Sequence, residues 1–167
     1  LGLPSIHTVV VAANFHDYLL GARGSAFPPA FREAIVRLLS GGKEVILVYP
    51  VPRLGTNVPN RLADAILKGE DPDKVRSPLA EFLASHRPVF ALLDNLPDPG
   101  GLIRLYPHEV FCPRGACRFY SEGQPWYYDD AHLSLTGAAL LRTLFESVVP
   151  RTQDELFPGK EAGEQIP

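Results

Sequence analysis

Lys43-Glu-Val-Ile-Leu-Val-Tyr-Pro-Val-Pro52 is the stretch that decides the fold. From Val45 to Tyr49 every residue is apolar, with no alternation of wet and dry positions. Such a run suits a strand buried on both faces of a parallel sheet. Pro50 and Pro52 stop it, because proline has no N–H to give to a ladder. Just upstream, Phe31, Ile35, Leu38 and Leu39 recur at helical spacing between Pro28-Pro29 and Gly41-Gly42, which predicts a helix feeding the strand. Further back, Thr8-Val-Val-Val-Ala-Ala13 reads as another strand buried on both faces, ending abruptly at the polar Asn14-Phe15-His16-Asp17. Downstream, helices are expected over Asn60–Leu67 and Ser77–Ser85, with Pro78 in the first turn of the second. Val89-Phe-Ala-Leu-Leu93 is expected as a third strand and Leu102–Tyr106 as a short fourth. A final amphipathic helix starts near Ser134 and carries Ala138, Leu141, Leu144, Phe145 and Val148. Strands alternating with helices predict an α/β fold with a mostly parallel sheet. The expected domain is 1–150, and 151–167 is a polar, Gly/Pro-containing tail.

The 167 residues, 46 % hydrophobic and 21 % charged, are enough for one domain with a real core, which excludes wholesale disorder. A net charge of −3 argues against a nucleic-acid partner, since phosphate neutralisation needs a basic face. No apolar run approaches the roughly 18 residues of a membrane span, and no signal-peptide pattern opens the chain. The 17 prolines imply ordered loops rather than a helical bundle. Gly41-Gly42 and Gly100-Gly101 lack the spacing of phosphate-binding loops, so no nucleotide site is expected.

Cys112 and Cys117 lie in Phe-Cys-Pro-Arg-Gly-Ala-Cys-Arg. Two ligands do not make a structural zinc site, and the spacing is not that of a thioredoxin motif. A local disulfide closing a Pro/Gly loop is the preferred reading, with two free thiols in a cytosolic loop as the alternative. The disulfide would mark a compartment outside the cytosol.

The chemistry is concentrated in Tyr127-Tyr-Asp-Asp-Ala-His-Leu-Ser-Leu-Thr-Gly-Ala138. Asp129 precedes His132 by three residues in a turn. It can therefore reach back to one imidazole nitrogen and leave the other to take a proton from a nucleophile. This is the orienter and base of a triad, supplied by one loop; the plain alternative is a solvated turn. Ser134, just before an apolar-periodic run, is read as a helix N-cap and not as the nucleophile. His16, Asp17 and His108 are read as surface or loop groups.

That string closely resembles the last sequence block of the SGNH hydrolase superfamily, and more narrowly the SGNH domain fused to the C-terminus of acyltransferase-3 membrane proteins. Val9–Ala13 followed by Asn14-Phe15 is similar to the third block. Val48-Tyr-Pro-Val-Pro52 with Asn57-Val-Pro59 resembles the next strand and proline loop. Phe111-Cys-Pro through Cys117 and then Gly123-Gln-Pro-Trp-Tyr matches the cysteine loop. The resemblance spans about residues 5 to 147. It implies a flavodoxin-like α/β/α sandwich and acyl transfer or ester hydrolysis through a serine intermediate. His132 would be the base, Asp129 its orienter and Asn14 the oxyanion asparagine. In the fused proteins a membrane domain delivers acyl groups, usually acetyl, to the outer side, where surface glycans are acylated. The resemblance therefore implies a glycan acceptor, an acyl donor and a periplasmic, membrane-tethered location, with no cofactor and no metal.

The chain departs from the family in one respect that bears on catalysis. Neither Gly-Asp-Ser nor a Gly-x-Ser-x-Gly elbow occurs in it, and the family's second block is missing as well. With Leu at position 1 and no methionine, the sequence is expected to be the C-terminal portion of a longer protein, with N-terminal strands of the sheet missing and no nucleophile of its own. The side of strand 8–13 that should be paired would then be bare. The competing expectation is a degenerate module that binds glycan without chemistry, with Trp126, Tyr127 and Tyr128 as stacking platforms or as core.

Overall fold

A computed structural model describes residues 5–21 and 24–149. In chain order the elements are β1 (Thr8–Val11), α1 (Phe15–Leu20), α2 (Phe27–Ser40), β2 (Glu44–Val48), α3 (Val58–Leu67), β3 (Arg76–Pro78), α4 (Leu79–Ser85) and α5 (Arg87–Asp94). They continue with β4 (Leu102–Leu105), α6 (Pro107–Phe111), β5 (Ala116–Arg118), β6 (Tyr120–Ser121), β7 (Gln124–Pro125), α7 (Leu135–Leu140) and α8 (Arg142–Glu146). The expected tail, 151–167, lies outside the described residues.

β1, β2 and β4 form a parallel sheet in that order, with Val10 opposite Ile46 and Ile46 opposite Ile103. The central strand behaves as its composition requires. Val45, Leu47 and Tyr49 pack under α1, α2 and α5 with Phe15, Ile35, Leu38 and Leu93. Ile46 and Val48 face the other way, against Leu144 and Phe145 of α8. Two opposed faces, each covered by helix, make the three-layer α/β/α arrangement. A separate core lies beyond the strands' carboxyl ends, where Leu62 and Ala65 of α3 meet Phe111, Phe119, Trp126 and Tyr127. Phe111 stands edge-on to both Trp126 and Tyr127.

Several expectations are corrected. Residues 89–93 are not a strand: they lie in α5, where Pro88 occupies the first turn and Val89 and Leu93 share the buried face. Leu102–Leu105 takes the third place in the sheet instead. Ser77 precedes a proline, which disfavours helix, so Arg76–Pro78 pairs antiparallel with Ala116–Arg118 and the helix starts at Leu79. β1 is not buried on both faces: Val9 and Val11 pack inward while Val10 is 51 % exposed. Among the described residues β1 pairs on one side only, with β2. The final helix breaks at Leu141 into α7 and α8.

Cys112 and Cys117 are joined in a disulfide, and both are buried in the second core. Arg114 and Gly115 turn the intervening chain with φ of 58° and 81°. His108 is not a loop group. It is half-buried in α6 among Phe82, Phe90 and Tyr106, with its Nδ1 unpartnered.

Candidate active site

The loop from Tyr127 to Leu133 closes on itself through an antiparallel bridge between those two residues. Within it, the Tyr128 N–H donates to the His132 carbonyl at 3.1 Å. Three further contacts fix this loop to the segment after β2. The Val58 N–H donates to the Asp129 carbonyl at 3.1 Å, the Tyr127 hydroxyl donates to the Pro52 carbonyl, and Arg53 pairs with Asp130 at 2.7 Å. Tyr127 is fully buried, and its burial raises the phenol pKa, so it remains a neutral donor.

Asp129 works through both carboxylate oxygens. Oδ1 accepts the backbone N–H groups of Ala131 and His132, each at 2.7 Å. Oδ2 lies 2.7 Å from His132 Nδ1. The backbone donors, His132 first and Ala131 second, hold the carboxyl at about 2, well below the ordinary carboxylate range, so it is ionised at any working pH. A carboxylate can only accept, so Nδ1 carries the hydrogen and Nε2 keeps its lone pair. The imidazole is 67 % exposed and lies nearly parallel to the Tyr128 ring, at 5.4 Å between centroids.

The helix after the loop explains why Ser134 and Gly137 stand where they do. Ser134 caps α7: its Oγ accepts the Gly137 N–H at 3.1 Å and donates to the Pro125 carbonyl at 2.8 Å. A Cβ on Gly137 would fall 2.0 Å from the Trp126 carbonyl oxygen, so only glycine lets α7 approach so closely. Trp126 is buried in the second core, as Tyr127 is, whereas Tyr128 is 62 % exposed.

A cleft of about 440 Å³ opens at the carboxyl edge of the sheet, between the ends of β1 and β2 and this loop. That edge is where open parallel sheets place their ligands. His132 and Asn14 both line it, with apolar Ala12, Val48, Pro50 and Leu141. Asn14 is also the N-cap of α1, and its Nδ2 donates to the Asp17 carboxylate at 2.6 Å.

Sequence reasoning missed three cleft residues. His16, expected at the surface, is half-buried and lines the cleft, as do Arg53 and His86. His16 stands two positions after Asn14 on the first turn of α1, a local signal that was available. His86 is brought in by the packing of α4 and α5, which no local pattern shows. Among the described residues the cleft lining includes no Ser, Thr or Cys. Among the described residues no three His, Cys, Asp or Glu side chains gather as a metal site.

The family profile described as "SGNH domain (fused to AT3 domains)" matches residues 1–147. Among solved structures the chain is similar to the periplasmic domain of the lipopolysaccharide acetyltransferase of Salmonella ser. Paratyphi A, with 13 % identity and a TM-score of 0.55. The match covers 86 % of this chain and 56 % of that one, so the chain spans a little over half of that domain's length. At this identity the likeness shows the fold alone. No curated protein sequence matches the chain.

Proposed function

The chain belongs to the SGNH domains fused to AT3 domains, and from that premise we propose that it forms the histidine side of a serine-type acyl-transfer site. The observation that carries the proposal is the Asp129–His132 contact at 2.7 Å, which leaves Nε2 as the ring's one basic nitrogen, on a residue that lines the cleft. In this reading, His132 Nε2 takes the proton from a serine hydroxyl as it attacks an acyl carbonyl. Asp129, ionised throughout, then stabilises the imidazolium. His132 next returns the proton to the leaving group, and the acyl-serine is resolved by an acceptor hydroxyl or by water. Asn14 supplies an amide hydrogen to the oxyanion. The serine comes from outside these residues, because among the described residues no Ser, Thr or Cys lines the cleft and Ser134 is committed to its cap.

Family membership and the acetyltransferase neighbour support acetyl as the acyl group and a surface glycan as the acceptor. They support a periplasmic location too, with the donor delivered by an attached membrane domain. Among the described residues no helix is long and apolar enough to cross a membrane. The isolated chain is expected to turn over p-nitrophenyl acetate no faster than its His132→Ala variant. The proposed full-length protein should lose its turnover in that variant. A rate in the isolated chain that depends on His132 and on one of the chain's own serines would contradict the proposal.

The second reading is a glycan-binding module without chemistry, favoured by the absence of Ser, Thr and Cys from the cleft lining. Burial removes Trp126 and Tyr127 as sugar platforms and leaves Tyr128. The identity of the residue at the expected Gly-Asp-Ser position in the full reading frame separates the two readings.

A further inference from the structure

His86 is 7 % exposed, yet it lines the same cleft as His132. Its ring is locked from behind: Nδ1 lies 3.1 Å from the Phe82 carbonyl oxygen and 2.9 Å from the Ser85 hydroxyl. A carbonyl oxygen only accepts, and a bare ring nitrogen at that distance would set lone pair against lone pair. Nδ1 therefore carries the hydrogen. The Ser85 hydroxyl donates to the same carbonyl at 2.9 Å, which frees its own lone pairs toward Nδ1. Nε2 is left with a lone pair and no protein partner among the described residues. Burial lowers the ring's pKa, with His16 and Arg53 adding to the effect, so His86 is neutral at ordinary pH.

A buried acceptor nitrogen in the cleft wall selects what it meets. The Nε2 lone pair calls for a donor, and Arg53 and the His16 ring, whose centroid lies 5.2 Å away, make the place poor for a cationic one. An uncharged hydroxyl is the donor that fits. We propose that His86 is a substrate-recognition residue whose Nε2 accepts a hydrogen bond from a hydroxyl of a neutral sugar, holding that ring in the cleft while another hydroxyl reaches the acyl group. The inference deepens the acyl-transfer reading above and rests on it for the identity of the acceptor.

The test uses this chain with ¹⁵N-labelled histidine and long-range ¹H–¹⁵N spectra. The probe is an equimolar mixture of the methyl glycosides of glucose, galactose, mannose, rhamnose and N-acetylglucosamine. We expect the His86 Nε2 resonance to move upfield as the glycosides are added. His86→Phe should weaken binding about fivefold, the worth of one neutral hydrogen bond, and His86→Gln, which keeps an acceptor, should restore most of it. Because the ring signal is read in the unsubstituted chain, the test stands even if His86→Phe fails to fold. Glycosides that shift His132 and Asn14 while leaving His86 unmoved would overturn the role of His86 and leave the acyl-transfer reading intact. No shift at any of the three would overturn the sugar acceptor itself, and His132 chemistry would then be judged by the ester assay.

Discussion

Two neighbouring aspartates, chemically identical in the unfolded chain, end in different jobs because their partners differ. Asp130 pairs with Arg53 and so ties the loop down. Asp129 is gripped by two backbone N–H groups and turned to His132. Asp129→Asn keeps an oxygen for the backbone donors but presents an amide N–H to Nδ1, which forces the hydrogen onto Nε2. In the proposed full-length protein, kcat for acyl transfer should fall by about 10³–10⁴-fold with little change in KM, as measured by steady-state kinetics. The Asp129–His132 pair was legible in the sequence because both residues sit within one turn, so local spacing nearly determines their contact. His86 and Arg53 were not, since tertiary packing alone brings them to the cleft.

At the scale of elements, close approach of backbone to backbone governs how the catalytic loop meets its helix. Gly137→Ala would drive a methyl group into the Trp126 carbonyl oxygen, so α7 must back away from the second core. We expect a loss of about 3 kcal/mol, an overpacking cost, in urea denaturation. Ser134→Ala removes a cap and a bond to Pro125, and should cost about 1–2 kcal/mol by the same measurement. The strand at 43–49 and the helix before it were readable because burial on both faces and an amphipathic stripe leave strong periodic signatures. Residues 89–93 misled because a short apolar run carries no period of its own; Pro88 in a first turn was the signal that separates helix from strand. The short helix Phe15–Leu20 was missed, its Asn14 cap having been read as the end of a strand and as the oxyanion asparagine.

Across the whole molecule, the sheet places a cleft at its carboxyl edge with His86 buried in its wall, and a second histidine, His108, is half-buried in α6. Burial lowers the pKa of both His86 and His108; His86 faces His16 and Arg53, and Glu109 opposes the effect at His108. The folded protein then binds fewer protons than the unfolded chain once the pH drops below the ordinary histidine range. Stability should be full above about pH 6.5 and decline as pH falls, by at most about 1.4 kcal/mol per pH unit for each histidine. The loss levels off below their folded values. Asp129 acts later, its contribution disappearing only as pH falls from the ordinary carboxylate range through about 2. Urea midpoints measured from pH 8 to pH 5 check the first of these, and His108→Phe should flatten the curve. The α/β class with its parallel sheet was legible as alternation of elements and the three-layer order only through the family resemblance, whereas the second core was not legible. It is assembled from residues as far apart as Val58 and Tyr127, and no periodicity marks such a set.

The central claim concerns one proton, and the ¹⁵N shifts of the His132 ring report it directly. In the unsubstituted chain with the ring neutral, Nδ1 should appear as the protonated nitrogen and Nε2 as the bare one, and Asp129→Asn should exchange them. A hydrogen found on Nε2 in the unsubstituted chain, or a pattern indifferent to Asp129→Asn, would contradict the account.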